Sequence, residues 1–286
     1  MKNYLCFLCA SLILISCTYH PALNILKKHQ KLEQINSVVP YTINLYAIHD
    51  LNSDVNKVKP YLTWVLQNLN YPDKHGLTGS IYDRNITIDG IEFSTGGYDS
   101  IDSYSATFLI LLHKYFIQTN DKELIKENAK KIQDIAYTIA YLQDDDGLTT
   151  ALPGSDIKYF MDNCEVYAGL RSFIFLSKAM NWNLEDFYTN TITALEKGIW
   201  QRFYNPQNKN FNWAVDDVNV HESDWKNYYP DAYAQIFPIV YDLPFANSKK
   251  KDDIWKKYIS LYNGNLKDLP SEQKIVVEFA EERMKK

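Results

Sequence analysis

Three short segments of the sequence place an acidic residue two positions before a tyrosine. They are Asp102-Ser103-Tyr104, Glu165-Val166-Tyr167 and Asp231-Ala232-Tyr233, and a weaker copy is Asn44-Leu45-Tyr46. The three acids are 63 (165 − 102) and 66 (231 − 165) residues apart. Carboxyl groups that converge from such repeats can supply the acid and the base or nucleophile of glycoside cleavage. Crowding in a partly apolar pocket pushes their pKa values apart, which gives the two protonation states that this chemistry needs.

Glu165 is the predicted proton donor of this carboxylate site. Its neighbours Cys164, Val166 and Tyr167 should desolvate the carboxyl group and raise its pKa. Asp102 is the predicted base or nucleophile, because it holds the equivalent place in the preceding repeat. Three further acids are reserve candidates: Asp99, Asp162 and Asp231.

Helix starts alone also explain these acids. Two pairs have the spacing of a capping box, or nearly so: Asp162 with Glu165, and Asp99 with Asp102. Asp231 follows Pro230, a residue favoured in the first turn of a helix, where an acid interacts well with the helix dipole. The sequence leaves both interpretations open.

Aromatic side chains are the predicted sugar-binding residues, because their flat apolar faces suit sugar rings. Aromatics make up 14% of the chain, and 22 of them are tyrosines. The candidates are Tyr104, Tyr167 and Tyr233 of the acidic segments, and Trp213, Trp225, Tyr228 and Tyr229 of the polar stretch before Asp231. Rings in a loop either stack on a glycan or seal the open edge of a helical structure, and both uses remain possible here.

Composition and motifs exclude several other functions. The net charge is −5 and the basic residues form no extended cluster, so nucleic acid is not an expected partner. The common nucleotide-binding, metalloprotease and nucleophile-elbow motifs are absent. The stretch 144–147 fails the EF-hand template, since Leu142 and Pro153 would occupy its first and last ligand positions. The six histidines are scattered, and neither a metal site nor a cofactor is predicted.

The first 16 residues have the features of a signal peptide. Lys2 is followed by an apolar run from Leu5 to Ile15, which is too short to cross a membrane as a helix. Leu14-Ile15-Ser16-Cys17 then resembles the lipobox of bacterial lipoproteins. The resemblance implies cleavage before Cys17, acylation of Cys17, and a lipid-anchored place at a membrane surface of the cell envelope. An ordinary secretory signal and an uncleaved anchor are the alternatives.

This interpretation also accounts for the cysteines. Cys6 and Cys9 would leave with the signal peptide and Cys17 would be acylated, so only Cys164 would remain and no disulfide could form. The expected organisation is a signal peptide at 1–16, a tether and first helix at 17–40, and a single domain at 41–286.

Hydrophobic periodicity predicts that buried helices alternate with amphipathic ones. The segments 103–118 and 166–180 are apolar nearly all round, whereas 122–143 and 184–203 each have one polar face. Further helices are expected at 23–36, 41–49, 57–69, 231–241, 250–262 and from about Ser271 onwards. The segment 80–97 alternates around Asp89-Gly90 and predicts one small β-hairpin.

Such alternation suits either a solenoid or a toroid, and the nearly complete apolarity of every second helix favours the toroid. The helix starts DSIDSYSATF and DNCEVYAGL, together with the repeated Asp-x-x-Gly-Leu-Thr turns at 73–78 and 144–149, resemble the six-hairpin glycosidase superfamily over most of residues 40–262. The resemblance implies an all-α (α/α) toroid. Members of that superfamily have six hairpins, whereas repeats of this length leave room for only four or five. The expected range is therefore four to six hairpins, and it includes an incomplete ring.

Known members of that superfamily are glycoside hydrolases, unsaturated uronyl hydrolases, epimerases and lyases, so the fold does not determine the reaction. The leading hypothesis is a tethered glycoside hydrolase that acts on an extracellular or envelope glycan. The alternative is a non-catalytic glycan-binding or scaffold lipoprotein on the same helical frame.

Overall fold

Most of the chain is helical in the computed structural model, which describes residues 20–245, 248–262 and 268–285. The predicted signal peptide and Cys17 lie outside the described residues. None of the described helices combines the length and the apolar character that crossing a lipid bilayer would require.

The helices follow the predicted alternation. In chain order they are α1 (Pro21–Leu26), α2 (Pro40–Asp50), α3 (Val55–Gln67), α4 (Ile101–Thr119), α5 (Lys122–Glu127), α6 (Ala129–Tyr141), α7 (Phe160–Met180), α8 (Glu185–Gly198), α9 (Phe237–Val240), α10 (Ser248–Tyr262) and α11 (Ser271–Met284). Wider π-helical turns occupy Ile199–Phe203 and Tyr228–Ala232.

Five of these helices form an inner ring. Helix α2 packs on α4, α4 on α7, α7 on α9, α9 on α11, and α11 packs back on α2. Helices α6 and α8 lie outside, against α4 and α7, while α1 and α3 pack on each other and on the outside of α2 and α4. The predicted all-α (α/α) toroid is therefore confirmed, and its inner ring closes with five members in the described part of the chain.

The tightest inner contact joins α4 and α7. A Cβ atom on Gly169 would lie 2.6 Å from the Cα atom of Ala106, so only glycine allows the two backbones to approach this closely. The two helices bury almost every side chain over their first three turns, whereas α6 buries one stripe only. This contact brings the amino-terminal turns of α4 and α7 together.

Several helix boundaries differ from the predicted ones. The helix expected at 23–36 ends at Leu26, because Ile35–Val38 pairs with a strand instead. The helix expected at 122–143 breaks at Asn128, whose backbone is not helical. The helix expected at 231–241 is divided, and α9 begins afresh at Phe237 with a proline at its second position, where the missing N–H costs nothing.

Short strands accompany the ring. They are β1 (Ile35–Val38), β2 (Arg84–Thr87), β3 (Glu92–Ser94), β4 (Lys158–Tyr159), β5 (Tyr204–Asn205), β6 (Asn210–Phe211), β7 (Ala214–Val215) and β8 (Val220–His221). The predicted hairpin around Asp89-Gly90 is confirmed as β2–β3, and β1 extends it to an antiparallel sheet. The β4–β7–β8 sheet and the β5–β6 pair were not predicted, because strands of two residues leave no periodic signal.

The two Asp-x-x-Gly-Leu-Thr turns have the same conformation. In each, the aspartate N–H (Asp73 or Asp144) donates to the leucine carbonyl at 2.8 Å, and the glycine N–H donates back to the aspartate carbonyl. Gly76 and Gly147 both have a positive φ, of 83° and 84°. The second turn ends at Thr149, whose hydroxyl group donates to Asp102 in the first turn of α4.

Candidate active site

A cavity of about 600 Å³ opens where the amino-terminal ends of the inner helices meet. Its wall takes residues from the starts of α2, α4, α7 and α11 and from the 229–237 segment that leads into α9. The inner helices therefore point the same way, and we call this space the amino-end cavity. The predicted site residues divide into those that reach it and those that lie behind its wall.

Four carboxyl groups line the amino-end cavity: Asp83, Asp99, Asp162 and Glu272. Asp99 is exposed, whereas Asp83 and Asp162 are half-buried. No lysine, arginine or histidine belongs to this wall in the described part of the chain. The cavity is thus acidic.

Ser100 connects Asp162 to the buried Asp102. The Ser100 Oγ atom lies 2.8 Å from Oδ1 of Asp102 and 2.5 Å from Oδ2 of Asp162. A hydroxyl group has one hydrogen to donate, so it can satisfy only one ionised carboxylate. The second contact is favourable only if that carboxyl group donates a proton of its own. The arrangement is therefore suited to retain a proton.

Burial raises the pKa of both carboxyl groups. Asp102 is fully buried, and its pKa rises to about 6 although Thr149, Ser100 and the Ser103 N–H all donate to it. Burial, followed by the negative charge of Asp102, holds the pKa of Asp162 well above its usual range. The raised pKa of Asp162 favours its protonated form, which a general acid requires.

Glu165 lies deeper, in the second turn of α7, and is 1% exposed. Its Oε1 atom accepts hydrogen bonds from the hydroxyl groups of Tyr41 (2.9 Å) and Tyr241 (3.1 Å). Burial, and then the charge of Asp162, hold its pKa well above its usual range. A capping role does not account for Glu165, because a capping carboxylate bonds to N–H groups of the first turn.

Asp231 lies apart from the cavity wall. It is buried, and its Oδ2 atom accepts the N–H of Asp224 at 3.2 Å in the loop that leads to the π-helical turn. The structure thus brings Asp99, Asp102, Asp162 and Glu165 together beside or beneath one cavity, and leaves Asp231 outside this group.

Four of the predicted aromatic residues line the amino-end cavity: Tyr104, Tyr233, Trp213 and Tyr229. The Tyr104 hydroxyl group donates to Oδ1 of Asp83 at 2.9 Å, which fixes both side chains. Tyr229 is 58% exposed, so its ring face is available to a bound molecule.

The other three predicted rings pack elsewhere. Tyr167 lies against the guanidinium group of Arg171, and Trp225 is buried beneath the Lys257 ammonium group. The Tyr228 hydroxyl group lies 3.2 Å from that of Tyr258. Of the four loop rings, Trp213 and Tyr229 line the cavity, where stacking on a glycan stays a prediction, and the other two help to seal the structure.

Sequence reasoning missed several residues of the site: Tyr41, Asp83, Ser100, Thr149, Tyr159, Tyr241 and Glu272. Some of these residues lie in a sequence pattern that could have identified them. A serine directly before an apolar helix, such as Ser100, is a typical N-cap, and Thr149 ends a repeated turn. No such pattern marks Asp83 and Glu272, because their positions depend on how separate elements pack.

Solved structures share this architecture, although no known family profile and no curated protein sequence matches the chain. A rhamnosidase from Klebsiella oxytoca with rhamnose bound superposes with a TM-score of 0.60 and 11% identity, over 93% of this chain and 52% of that one. The fold is that of the six-hairpin glycosidases. A GH78 family rhamnosidase of Bacillus sp. GL1 also gives 0.60, at 12% identity, over 86% of this chain and 25% of that one.

A third structure is a cellobiose 2-epimerase from Bacillus thermoamylovorans, with a TM-score of 0.50 and 8% identity, over 88% of this chain and 73% of that one. The chain spans about half of the Klebsiella rhamnosidase and a quarter of the Bacillus one. At these identities the likeness concerns the fold alone.

Proposed function

We propose that the protein is a glycoside hydrolase that acts in the amino-end cavity. The observation that carries this proposal is the position of Asp162, which shares the Ser100 hydroxyl group with Asp102, has a raised pKa and faces a cavity lined by further carboxyl groups and by aromatic rings. Glycoside cleavage needs one protonated and one charged carboxyl group beside a surface for the sugar.

Asp162 is the proton donor to the departing glycosidic oxygen. Asp99 is the second carboxylate, because it is exposed on the same wall and its negative charge contributes to the raised pKa of Asp162. As base or as nucleophile it must be charged in either case. Asp102 and Ser100 position Asp162 and keep its proton in place.

The charge of the cavity supports an uncharged sugar as the substrate. Recognition of uronic acids or sulfated sugars requires basic groups to pair with their anions. The described wall of the amino-end cavity provides four carboxyl groups and no basic side chain. The rhamnosidases and the epimerase of the same fold also have names that refer to neutral sugars, which agrees with this assignment.

Asp162→Asn tests the proposal, and Glu165→Gln is its matched control on the same helix. Turnover of glycosides with poor leaving groups, such as neutral disaccharides, should fall about a hundredfold or more in Asp162→Asn. Dinitrophenyl glycosides need little protonation, so their turnover should fall far less. Glu165→Gln should change neither class greatly, because Glu165 is buried behind the cavity wall and the amide keeps the size of the side chain.

Full turnover of disaccharides by a folded Asp162→Asn protein would remove Asp162 from the mechanism. If the dependence on the leaving group appears in Glu165→Gln instead, proton donation belongs to Glu165, as the sequence predicted. Both variants keep the size of the side chain, so circular dichroism should confirm that each is folded.

A glycan-binding protein without catalytic activity is the second candidate. It is favoured by the burial of Asp102 and Glu165, the equivalent carboxyl pair of the two repeats, neither of which reaches the cavity wall. Oligosaccharide binding in calorimetry, with no cleavage after prolonged incubation, would favour it over the hydrolase.

We also propose that acylation of Cys17 anchors the protein to a membrane surface of the cell envelope. The lipobox-like Leu14-Ile15-Ser16-Cys17 supports this proposal. Cys17→Ala should move the protein from the membrane fraction to the soluble fraction or block its maturation, as fractionation and mass spectrometry would show. Unchanged membrane retention and mass would contradict it.

A further inference from the structure

Two histidines and an aspartate converge at the carboxyl-terminal end of α2. His29 follows α1, while His49 and Asp50 are the last two residues of α2. One potential ligand atom of each lies within 4.8 Å of the other two. The histidines look scattered in the sequence, and only the packing of the segment after α1 on α2 brings them together.

The distances suit a shared metal ion. His29 Nε2 lies 3.3 Å from Asp50 Oδ2, and His49 Nδ1 lies 3.4 Å from Asp50 Oδ1. Two ligand atoms that each lie about 2.1 Å from a tetrahedral ion are about 3.4 Å apart. These two contacts involve different oxygens of Asp50, so an ion bound to one oxygen would require one imidazole to move closer, within a group of ligand atoms that already lie within 4.8 Å of one another.

Two of these atoms have no hydrogen-bond partner among the described residues. His29 Nε2 and Asp50 Oδ2 are buried and lack a hydrogen bond of acceptable geometry, and within the described chain Asp50 Oδ2 has only ion-pair contacts, with His29 and Lys28. Asp50 is only 9% exposed. Buried polar atoms in this state are costly unless a further group satisfies them.

The surroundings orient both imidazole rings. The His29 ring stacks on Tyr46 with a centroid distance of 4.0 Å and an angle of 7°. His49 Nε2 lies 3.3 Å from a carboxylate oxygen of Glu278, which leaves Nδ1 for the ion. A carboxylate behind the second nitrogen is the usual support of a metal-binding histidine.

The local charges permit an ion. The Lys28 ammonium group lies 3.2 Å from Asp50 Oδ2, but it also lies 3.4 Å from Asp54. Lys28 can therefore keep Asp54 as its partner when an ion takes Asp50.

We propose that His29, His49 and Asp50 bind a divalent transition-metal ion, with Zn²⁺ the best match to two imidazoles and one carboxylate. The ion would join the segment after α1 to the end of α2 and, through Glu278, to α11, at the point where the ring closes. Tyr41, in the amino-end cavity, is nine residues from Asp50 along α2, or about 14 Å. The site is therefore separate from the proposed glycosidase centre and stabilises the ring.

Metal titration of untagged, EDTA-dialysed protein tests this proposal. Zn²⁺ alone should bind at one ion per chain and raise the melting temperature, because it binds the folded state preferentially. Co²⁺ in its place should give visible absorption bands from a site with nitrogen and oxygen ligands.

His29→Ala should abolish the thermal shift and the Co²⁺ bands. If that variant folds poorly, His49→Ala is the second test, because the His49 side chain is 40% exposed and its loss should spare the fold. His75→Ala, at an exposed histidine outside the site, is the matched control and should respond as the wild type does. An unchanged melting temperature with Zn²⁺, or an equal response of His49→Ala and His75→Ala, would overturn the proposal.

Discussion

The two ends of the inner ring differ in charge, because one has only acids among the charged residues of its described wall and the other has both bases and acids. The amino-end cavity has carboxyl groups and, among the described residues, no basic group in its wall. A second cavity, of about 520 Å³, opens at the other end, and we call it the carboxyl-end cavity. Its charged or titratable wall residues are His113, Lys114, Arg171, Arg283, Asp242 and Glu282.

Helix dipoles explain part of this difference. The amino-terminal end of a helix carries a partial positive charge and favours acids, whereas the carboxyl-terminal end favours bases. Parallel inner helices add these effects at each end of the ring. The acids on the wall of the amino-end cavity are therefore not evidence of catalysis by themselves.

The burial of carboxyl groups distinguishes the two ends more sharply than the sign of their side-chain charges does. Asp102 and Glu165 lie behind the wall of the amino-end cavity with raised pKa values, and dipoles at the surface do not require this. Glu165 also lies between the two cavities, because Tyr41 lines one, Tyr241 lines the other, and both donate to it. The buried carboxyl groups are thus a feature of the amino end that helix dipoles do not explain.

The largest effect on stability should come from Asp102→Asn. The pKa of Asp102 is raised, so its contribution to stability is fully present below about pH 4 and is lost as the pH rises through about 6. The loss is at most about 3 kcal/mol for a shift of this size. The variant should lack this loss, so its stability relative to the wild type should improve between pH 4 and 7. Unfolding free energies of the two proteins that change in parallel over this range would show that the pKa of Asp102 is not raised in the folded state.

Gly169→Ala should disturb the packing of α4 on α7, two helices that supply residues to both cavities. Its Cβ atom would meet the backbone of Ala106, and overpacking of this kind costs about 1–3 kcal/mol. Gly97→Ala is the control, since its Cβ atom would approach only the mobile end of Lys74, at 3.8 Å. Thermal unfolding should separate the two variants. Equal melting temperatures would mean that α4 and α7 adjust to the extra methyl group.

The smallest effect should come from Arg171→Ala at the carboxyl-end cavity. Arg171 pairs with Asp242 at 3.7 Å, and both side chains are about half exposed, so the loss should stay within about 1 kcal/mol. Turnover of disaccharides should not change. A hundredfold loss of kcat in this variant would place the reaction at the carboxyl-end cavity and reverse the comparison.

Local periodicity favoured a ring over a solenoid, the resemblance to a known superfamily implied the toroid, and the repeated acid-x-tyrosine segments predicted which positions correspond. Asp102 and Glu165 were predicted to hold equivalent places, and the closest contact between their helices joins Ala106 to Gly169, each four residues further on. A helix that is apolar nearly all round must lie between neighbours, which is information that the sequence contains.

Depth along a helix could not be predicted in the same way. Asp162 and Glu165 are three residues apart on α7, so Glu165 lies about 4.5 Å deeper. This difference of about 4.5 Å decides which carboxyl group reaches the cavity. How far the cavity extends along α7 depends, however, on Tyr41, Tyr229 and other residues distant in sequence. The cluster of His29 with His49 and Asp50 was missed for the same reason.

The contact of α11 with α2 also determines when the ring can close during translation. These helices are separated by 221 residues (271 − 50), a span that a ribosome translates in roughly 10–45 s. Until α11 emerges, the apolar flanks of α2 and α9 have no partner and the amino-end cavity lacks Glu272 and Gln273. The nascent chain therefore carries an open, aggregation-prone ring for most of its synthesis, and it gains a complete cavity only when its last described helix has docked.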